Sequence, residues 1–370
     1  MKKALMVATV GGFICSFEKN DIKLLKNLGY EVFIACNTKG REEELEQLGC
    51  KIVHLPIARN PFKKQNIISY QQLKVLMEKE KFDLVHCHTP VGGVLARMAA
   101  KKYRKTGTKV IYTAHGFHFF KGAPLVNWLI YYPIERWLSR YTDILITINK
   151  EDYQRAKKNL KAEKVIKIPS VGLDTESIFR RKVDKNDVRE QIQIPKDAFL
   201  IISVGELNTN KNHEVIIKAI KEINNENVYY ILCGSGSKKE RLEKLCYKLG
   251  IKNNIKFLGF RNDVIDLCKA ADAFAFPSLR EGLGMAALEG MAAGLPLITS
   301  NIHGINDYSI DGISGYKCSR KNVTEYVEAI RNIMKNEKLR KQMKEHNMKY
   351  AKNFDICKTS AIMQEIYSEM

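Results

Sequence analysis

Short apolar runs alternate along the chain with longer stretches in which apolar positions recur every three or four residues, and this alternation predicts strands and helices in regular succession. In the first half, Lys3–Val10, Glu31–Cys36, Lys51–Leu55, Leu84–His88, Lys109–Tyr112, Ile144–Ile148 and Lys164–Ile168 read as strands. Between them Phe17–Leu28, Glu42–Leu48, Asn66–Lys79, Val91–Lys102, Leu125–Arg140 and Lys150–Asn159 read as helices. Gly29 and Gly49 act as stops, and Gly11-Gly12 as a tight turn after the first strand. Strands and helices in strict alternation make a doubly wound parallel sheet.

The pattern pauses over Arg180–Lys196, a polar stretch poor in apolar residues, and restarts at Leu200–Val204. Tyr229–Cys233, Ile255–Leu258, Ala273–Phe276 and Leu297–Thr299 follow as strands, with helices at Asn212–Ile223, Lys238–Leu249, Val264–Ala270 and Gly284–Ala293 and two more at Val323–Met334 and Glu337–Asn353. The fold class is therefore α/β, with two Rossmann-like domains at residues 1–170 and 171–354 and no internal repeat or low-complexity segment. A chain of 370 residues supplies a core for each.

Composition adds compartment and charge. No run approaches the eighteen apolar residues of a spanning helix, and the apolar start after Lys2-Lys3 stops at Gly11-Gly12, so it reads as a strand rather than a signal peptide. Nine scattered cysteines without a C-x-x-C pair point to reduced thiols in a cytosolic protein. Residues 1–170 carry 30 Lys and Arg against 15 Asp and Glu, whereas residues 171–370 carry 31 against 26. This asymmetry points to an anionic partner for the first half, the alternative being a solvated lysine-rich surface.

The most informative stretch runs from Pro277 to Gly294. After the strand Ala273–Phe276, a glycine-bearing loop opens a helix near Gly284, and the free amides and dipole of its first turn suit a phosphate group. Glu289 lies in a helix whose other residues, Met285, Ala286, Ala287, Leu288, Met291 and Ala292, are apolar or small on every face, so it belongs to no polar stripe and requires partners. Glu281, in the loop between Arg280 and Gly282, is on composition alone equally an ordinary loop acid.

Glu281 through Glu289 resembles the E-x7-E motif of the family 4 glycosyltransferases, retaining enzymes of the GT-B fold. The resemblance implies two Rossmann-like domains facing a cleft, with residues 355–370 crossing back to the first domain. It implies that Glu281 contacts donor-sugar hydroxyls, that Glu289 holds the nucleotide ribose, and that Gly282, Leu283, Gly284 and Met285 present backbone to the diphosphate. In Val204-Gly-Glu-Leu-Asn-Thr-Asn-Lys-Asn-His213 the resemblance places Gly205 and Lys211 at the diphosphate, while Glu206 stands where the family has arginine. Arg261 or the helix amides are candidates to compensate. The turn Phe257-Leu-Gly-Phe-Arg-Asn-Asp-Val264 matches the family's base-binding turn, which brings in Phe260 and Arg261, and Gly12 is expected to face the donor phosphates across the cleft. Gly11-Gly12 lacks the full G-x-G-x-x-G, so no dinucleotide is indicated.

Thr113-Ala-His-Gly-Phe-His-Phe-Phe-Lys-Gly-Ala-Pro124, running on to Trp128, Tyr131 and Tyr132, resembles the bacterial capsule and exopolysaccharide branch of the family. There the histidine matching His115 points at the reacting centre and the transferred sugar. His86-Cys-His88 and His115-Gly-Phe-His118 lack the spacing of a zinc site and show no carboxylate support, and the chain has no Asp-x-Asp. Neither a metal nor another cofactor is expected. The implied activity is UDP-sugar-dependent transfer with retention to a glycan acceptor on polyprenyl diphosphate. An epimerase of the same fold has no use for a basic first domain, and a nucleic-acid-binding protein leaves both glutamates idle. With no spanning segment, a cytoplasmic enzyme reaches a lipid-linked acceptor by docking on the anionic cytoplasmic face. Lys101, Lys102, Arg104, Lys105 and Lys121 are the expected contacts, backed by the aromatic residues after His118.

Overall fold

Buried runs such as Leu84–His88 and Ala273–Phe276 satisfy their backbone by pairing on both sides, and the chain builds two all-parallel sheets from them. The computed structural model describes residues Met1–Met370. Met1–Gly172 with Ile356–Met370 forms one unit and Leu173–Asp355 a second.

The first unit has strands β1 (Lys3–Val10), β2 (Glu31–Asn37), β3 (Lys51–His54), β4 (Leu84–His88), β5 (Lys109–Ala114), β6 (Ile144–Thr147) and β7 (Lys164–Lys167), in the spatial order β3-β2-β1-β4-β5-β6-β7. Its connecting helices are α1 (Gly11–Phe17), α2 (Lys19–Asn27), α3 (Glu42–Glu46), α4 (Gln65–Glu80), α5 (Pro90–Ala100), α6 (Leu125–Leu138) and α7 (Lys150–Asn159). α5 lies close on the sheet because Gly92 and Gly93 have no side chain. A Cβ on Gly93 would stand 2.5 Å from the Tyr112 ring, and one on Gly92 3.1 Å from the Ala8 carbonyl carbon. Gly11-Gly12 is no turn: β1 runs directly into α1, and the helix expected over Phe17–Leu28 breaks at Glu18 into α1 and α2.

The second unit has α8 (Thr175–Arg180) and α9 (Lys185–Gln191) ahead of β8 (Phe199–Val204), followed by α10 (His213–Ile223), β9 (Val228–Cys233) and α11 (Lys239–Lys248). Then come β10 (Ile255–Gly259), α12 (Val264–Ala270), β11 (Ala273–Phe276), α13 (Met285–Ala292), β12 (Leu297–Ser300), β13 (Gly315–Cys318), α14 (Val323–Lys335) and α15 (Glu337–Ala351). The sheet order is β10-β9-β8-β11-β12-β13. Arg180–Lys196, the polar stretch over which the apolar pattern pauses, packs into this unit. Arg189 is buried there, donating to the carbonyls of Ala270 at 3.0 Å and of Lys196 and Ala198 at 2.8 Å, and to Asp272 at 2.7 Å. Polar composition concealed it because a fully partnered guanidinium is as buriable as a leucine. β13 was not anticipated, since Gly315-Tyr-Lys-Cys318 has neither an apolar run nor a clean alternation.

The last helix, α16 (Ile356–Ser368), belongs to the first unit. Its Tyr367 is buried and donates to Asp21 at 2.8 Å, Asn20 donates to Ser360 at 2.9 Å, and Thr359 donates to the Ser170 carbonyl at 3.1 Å. Each sheet changes its direction of growth once, between β1 and β4 and between β8 and β11. Such a switch leaves a crevice at the carboxyl ends of the two strands.

One ion pair fixes α6. Arg97 of α5, fully buried, lies 3.9 Å above the Tyr112 ring and donates to both carboxylate oxygens of Glu135, the second at 3.0 Å. Arg97→Met should lower stability by about 3–5 kcal/mol, because it strands a buried carboxylate. Arg97→Met with Glu135→Leu should recover most of the loss in urea unfolding, and a double variant as unstable as the single one would contradict this account.

Candidate active site

At the β8–β11 crevice of the second unit, two loops are sewn together through their backbones. Leu279 N–H donates to the Asn210 carbonyl at 2.7 Å, while the Asn210 and Asn212 side chains donate to the carbonyls of Arg280 at 2.9 Å and Pro277 at 3.1 Å. The approach depends on absent side chains. A Cβ on Gly234 would stand 2.0 Å from the Gly205 carbonyl oxygen, and Gly234 itself has φ +146°. Gly205 also lies against Lys211, whose Cε would be 3.2 Å from a Cβ at that position.

This stitching brings Lys211 to Glu281: the ammonium donates to the carboxylate at 2.8 Å and sits 4.5 Å over the Phe276 ring. Gly284, at φ +90°, turns the chain into α13 where a Cβ would strike Phe276 at 2.5 Å. The first amides of α13, beginning with Met285, have no partner within the helix and lie beside the loop that carries Gly282 and Leu283. α13 is not buried on every face, as its composition implied. Met285, Ala286 and Glu289 share one half-buried strip, while Ala287, Leu288, Gly290, Met291 and Ala292 are buried. Glu289 therefore has no protein partner to find: its strip is open to a ligand, and burial raises its carboxyl to about 7.

The turn after β10 is held by Gly234 N–H donating to the Gly259 carbonyl at 2.7 Å. Phe260 is 76% exposed there. Arg261 is committed to Asp263, with Nε donating at 2.7 Å, so its guanidinium is not free to stand in for the arginine that Glu206 replaces. Glu206 is itself exposed.

In the first unit, the β1–β4 crevice holds a cluster that sequence spacing did not reveal. Glu18, at the break between α1 and α2, is buried with its carboxylate 3.3 Å from His88 Nδ1 and 3.9 Å from His115 Nε2. His88 Nδ1 and His115 Nε2 are themselves 3.3 Å apart. The histidines thus do have carboxylate support, contrary to the sequence expectation, because β4, β5 and the α1–α2 break converge. Beside them His86 bonds Thr113 Oγ1 and Tyr367 OH, each at 2.8 Å, which links β4 to α16 and Asp21. Burial lowers all three imidazoles, His86 to about 3, and raises Glu18 well above the usual carboxylate range and Asp21 to about 6. The cluster is accordingly close to neutral, with His115 as its accessible member. It can share a proton between carboxyl and imidazole, and its three ligand atoms, within 4.8 Å of one another, have a donor set suited to a divalent cation. Gly12 lies in the first turn of α1, where a Cβ would meet Arg41 Nε at 3.7 Å.

The basic cluster expected at a membrane is partly spent internally. Arg104 donates to Asp143 at 2.8 Å and to Glu163 at 2.7 Å, whereas Lys101, Lys102, Lys105 and Lys121 are exposed. Phe117, Phe119 and Phe120 are buried and cannot settle at a headgroup, the first two within the hydrophobic core of this unit.

Two parallel Rossmann-like units are the architecture of the GT-B class. Comparison with known proteins agrees. Residues 4–149 match the family described as "Glycosyl transferase 4-like" and residues 184–350 that described as "Glycosyl transferases group 1". The chain is 38% identical over 99% of its length, and 96% of the relative's, to a putative glycosyltransferase, EpsD, of Bacillus subtilis. It is 29% identical to a UDP-Gal:alpha-D-GlcNAc-diphosphoundecaprenol alpha-1,3-galactosyltransferase of Escherichia coli, over 95% of this chain and 92% of that one. The fold matches Anabaena HepE, crystallised with UDP and glucose, at a TM-score of 0.81 and 19% identity over the whole of both chains. The chain belongs to the GT-B glycosyltransferases.

Glu289 makes a pH-dependent contribution with a definite sign. Its carboxyl is raised from 4.5 to about 7 in the folded state, so the stability that its protonated form supplies is present below pH 4.5 and is lost as pH rises through 7. Glu289→Gln should lose less stability than the parent between pH 5 and pH 7.5, by about 1–3 kcal/mol. Parallel urea-unfolding slopes for the two proteins would show that the carboxyl is already hydrated.

Proposed function

We propose that this chain is a retaining, metal-independent hexosyltransferase of glycosyltransferase family 4. It moves a sugar from a UDP-sugar to a glycan acceptor carried on polyprenyl diphosphate, in capsule or exopolysaccharide assembly at the cytoplasmic face of the membrane. The observation that carries this reading is the Lys211–Glu281 pair beside the amides of α13, with Glu289 one helical strip away. The UDP named for HepE and the diphosphoundecaprenol acceptor named for the Escherichia coli relative support the choice of donor and acceptor.

In this scheme the donor diphosphate takes over Lys211, since two phosphates outbid one carboxylate for the ammonium, and Glu281 is released to accept hydrogen bonds from the sugar hydroxyls. The α13 amides and Lys211 then hold the charge that builds on the leaving diphosphate. Glu289 accepts from the ribose hydroxyls, and the exposed Phe260 ring packs on the base. By the family resemblance Gly205 and Gly12 are assigned to the phosphates, and His115, neutral through burial, to the transferred sugar. The acceptor oxygen attacks from the face that the phosphate leaves. The bond from C1 to the diphosphate oxygen breaks as the bond to the acceptor oxygen forms, and the departing diphosphate takes the acceptor proton. No Asp-x-Asp is present to hold a metal–diphosphate complex, and the amides and Lys211 supply the positive field instead.

Glu289→Gln should raise the donor KM and lower kcat/KM with little change in kcat, because the ribose contacts exist in ground and transition states alike. Glu281→Gln and His115→Ala should depress kcat by about 100-fold with little change in donor affinity. Full activity in either would remove it from the reacting centre. EDTA should leave the rate unchanged. Loss of rate restored by manganese would assign the metal a role, and restoration by zinc would point to the Glu18, His88 and His115 cluster. A product assay with and without acceptor separates transfer from epimerisation.

A further inference from the structure

α6 is built inside out. Its outward residues are Leu125 (73% exposed), Val126 (55%), Leu129 (69%), Ile130 (40%), Pro133, Ile134 (43%) and Trp137 (42%). Spacings of one and three residues keep them on a single stripe, about 18 Å long at 1.5 Å per residue. The opposite face is already satisfied. Glu135 is held by Arg97, Leu138 is fully buried, Tyr132 packs edge-on to Phe119 at 5.3 Å, and Trp128 lies under Arg155 at 4.9 Å. The stripe is thus a second apolar face that the fold of its own unit leaves uncovered. No helix in the chain is long and apolar enough to cross a membrane.

The charges around the stripe select its occupant. The one carboxylate in α6, Glu135, points inward, the exposed charges of α6 and its flanks, Lys121, Arg136 and Arg140, are cationic, and the nearby acids Glu151 and Glu163 are paired with Arg155 and Arg104. Trp137 meets Tyr141 edge-on at 5.4 Å, and Lys101 lies 4.6 Å over the same Tyr141 ring, an amphipathic pairing suited to the boundary between headgroup and acyl chain. Beside them Tyr132, Pro133, Arg136, Trp137 and Arg140 line a surface groove of about 340 Å³. A second copy of the chain would bring cations against cations with no acid on the stripe to answer them. An anionic bilayer answers both features at once.

We propose that α6 lies in the plane of an anionic phospholipid surface, with Leu125, Val126, Leu129, Ile130, Ile134 and Trp137 sunk among the acyl chains and Arg136 and Arg140 on lipid phosphates. This rests on the lipid-linked acceptor assigned above and gives that reading a physical seat. The contact is α6 rather than the Lys101–Lys105 cluster, in which Arg104 is committed to Asp143 and Glu163. Binding of this kind combines buried apolar area with attraction to anionic headgroups, so it weakens with salt without vanishing.

The test uses the full chain with sedimented vesicles of phosphatidylglycerol and phosphatidylcholine at 3:7, and of phosphatidylcholine alone. The parent should sediment with the first and not the second. Leu129→Ser with Ile130→Ser, and separately Arg136→Ser with Arg140→Ser, should each reduce partitioning by about 10-fold or more. Stabilisation by UDP in a thermal shift should be unchanged in both, which shows that the fold and donor site survive. Equal vesicle binding by parent and Leu129/Ile130 variant would overturn the proposal. So would a parent that ignores vesicles and is dimeric by light scattering, with the variant monomeric. Transfer to a water-soluble acceptor that persists while vesicle binding is absent would overturn this surface and leave the glycosyltransferase reading standing.

Discussion

The point where a parallel sheet reverses its winding is the constraint on which both halves of this molecule depend. Between β8 and β11 the connecting helices leave toward opposite faces, so the strand ends have nothing between them except the loops that they launch. Those loops can meet only where side chains are missing, as at the contact of Gly234 with the Gly205 carbonyl and of Gly304 with the Gly282 carbonyl. Once they meet, Lys211, Glu281 and the amides of α13 follow from backbone geometry rather than from flexible side-chain choice. A pre-set arrangement of this kind holds charge without reorganising around it.

The first unit uses its own reversal, between β1 and β4, differently. It gathers titratable groups rather than main-chain donors. Glu18, His88 and His115 form one cluster, with Asp21, Tyr367, His86 and Thr113 in a chain beside it, and all but the half-buried Asp21 and His115 are buried. Burial moves acids up and bases down, so the groups approach neutrality from both sides and form a hydrogen-bonded rather than an ionic core. His115 is the edge of that core. A carboxyl and two further imidazoles behind it fix its ring and its proton, which composition around His115-Gly-Phe-His118 gave no reason to anticipate.

What was legible in the sequence is what depends on neighbours in sequence. The apolar runs of β1, β4, β8 and β11 identified themselves by composition, and the loop and helix α13 by the glycines and the two acids, Glu281 and Glu289. Glu18 was invisible because its partners lie 70 and 97 positions further along the chain, and nothing local marks an acid at a helix break as buried. The burial of Arg189 was hidden for the same reason, since its acceptors, backbone carbonyls and the Asp272 carboxylate, are brought to it by the fold. Arg261 shows the converse: a suitable residue type in a suitable turn is removed from consideration by Asp263 only two residues away. The apolar stripe of α6 was in plain view, but a helix rich in Trp, Tyr and Leu reads as core until burial separates its two faces.

The return of α16 to the first unit bears on how the protein is made. Tyr367 covers Asp21 and His86, yet it is synthesised after all of Leu173–Asp355. At roughly 5–20 residues per second, translation of that intervening unit delays the closing helix by on the order of 10–40 s. For that interval the first unit stands at the ribosome with its polar core uncapped while the second unit is being made. The order of maturation is therefore the reverse of the order of emergence: the half that leaves the ribosome first is the half completed last.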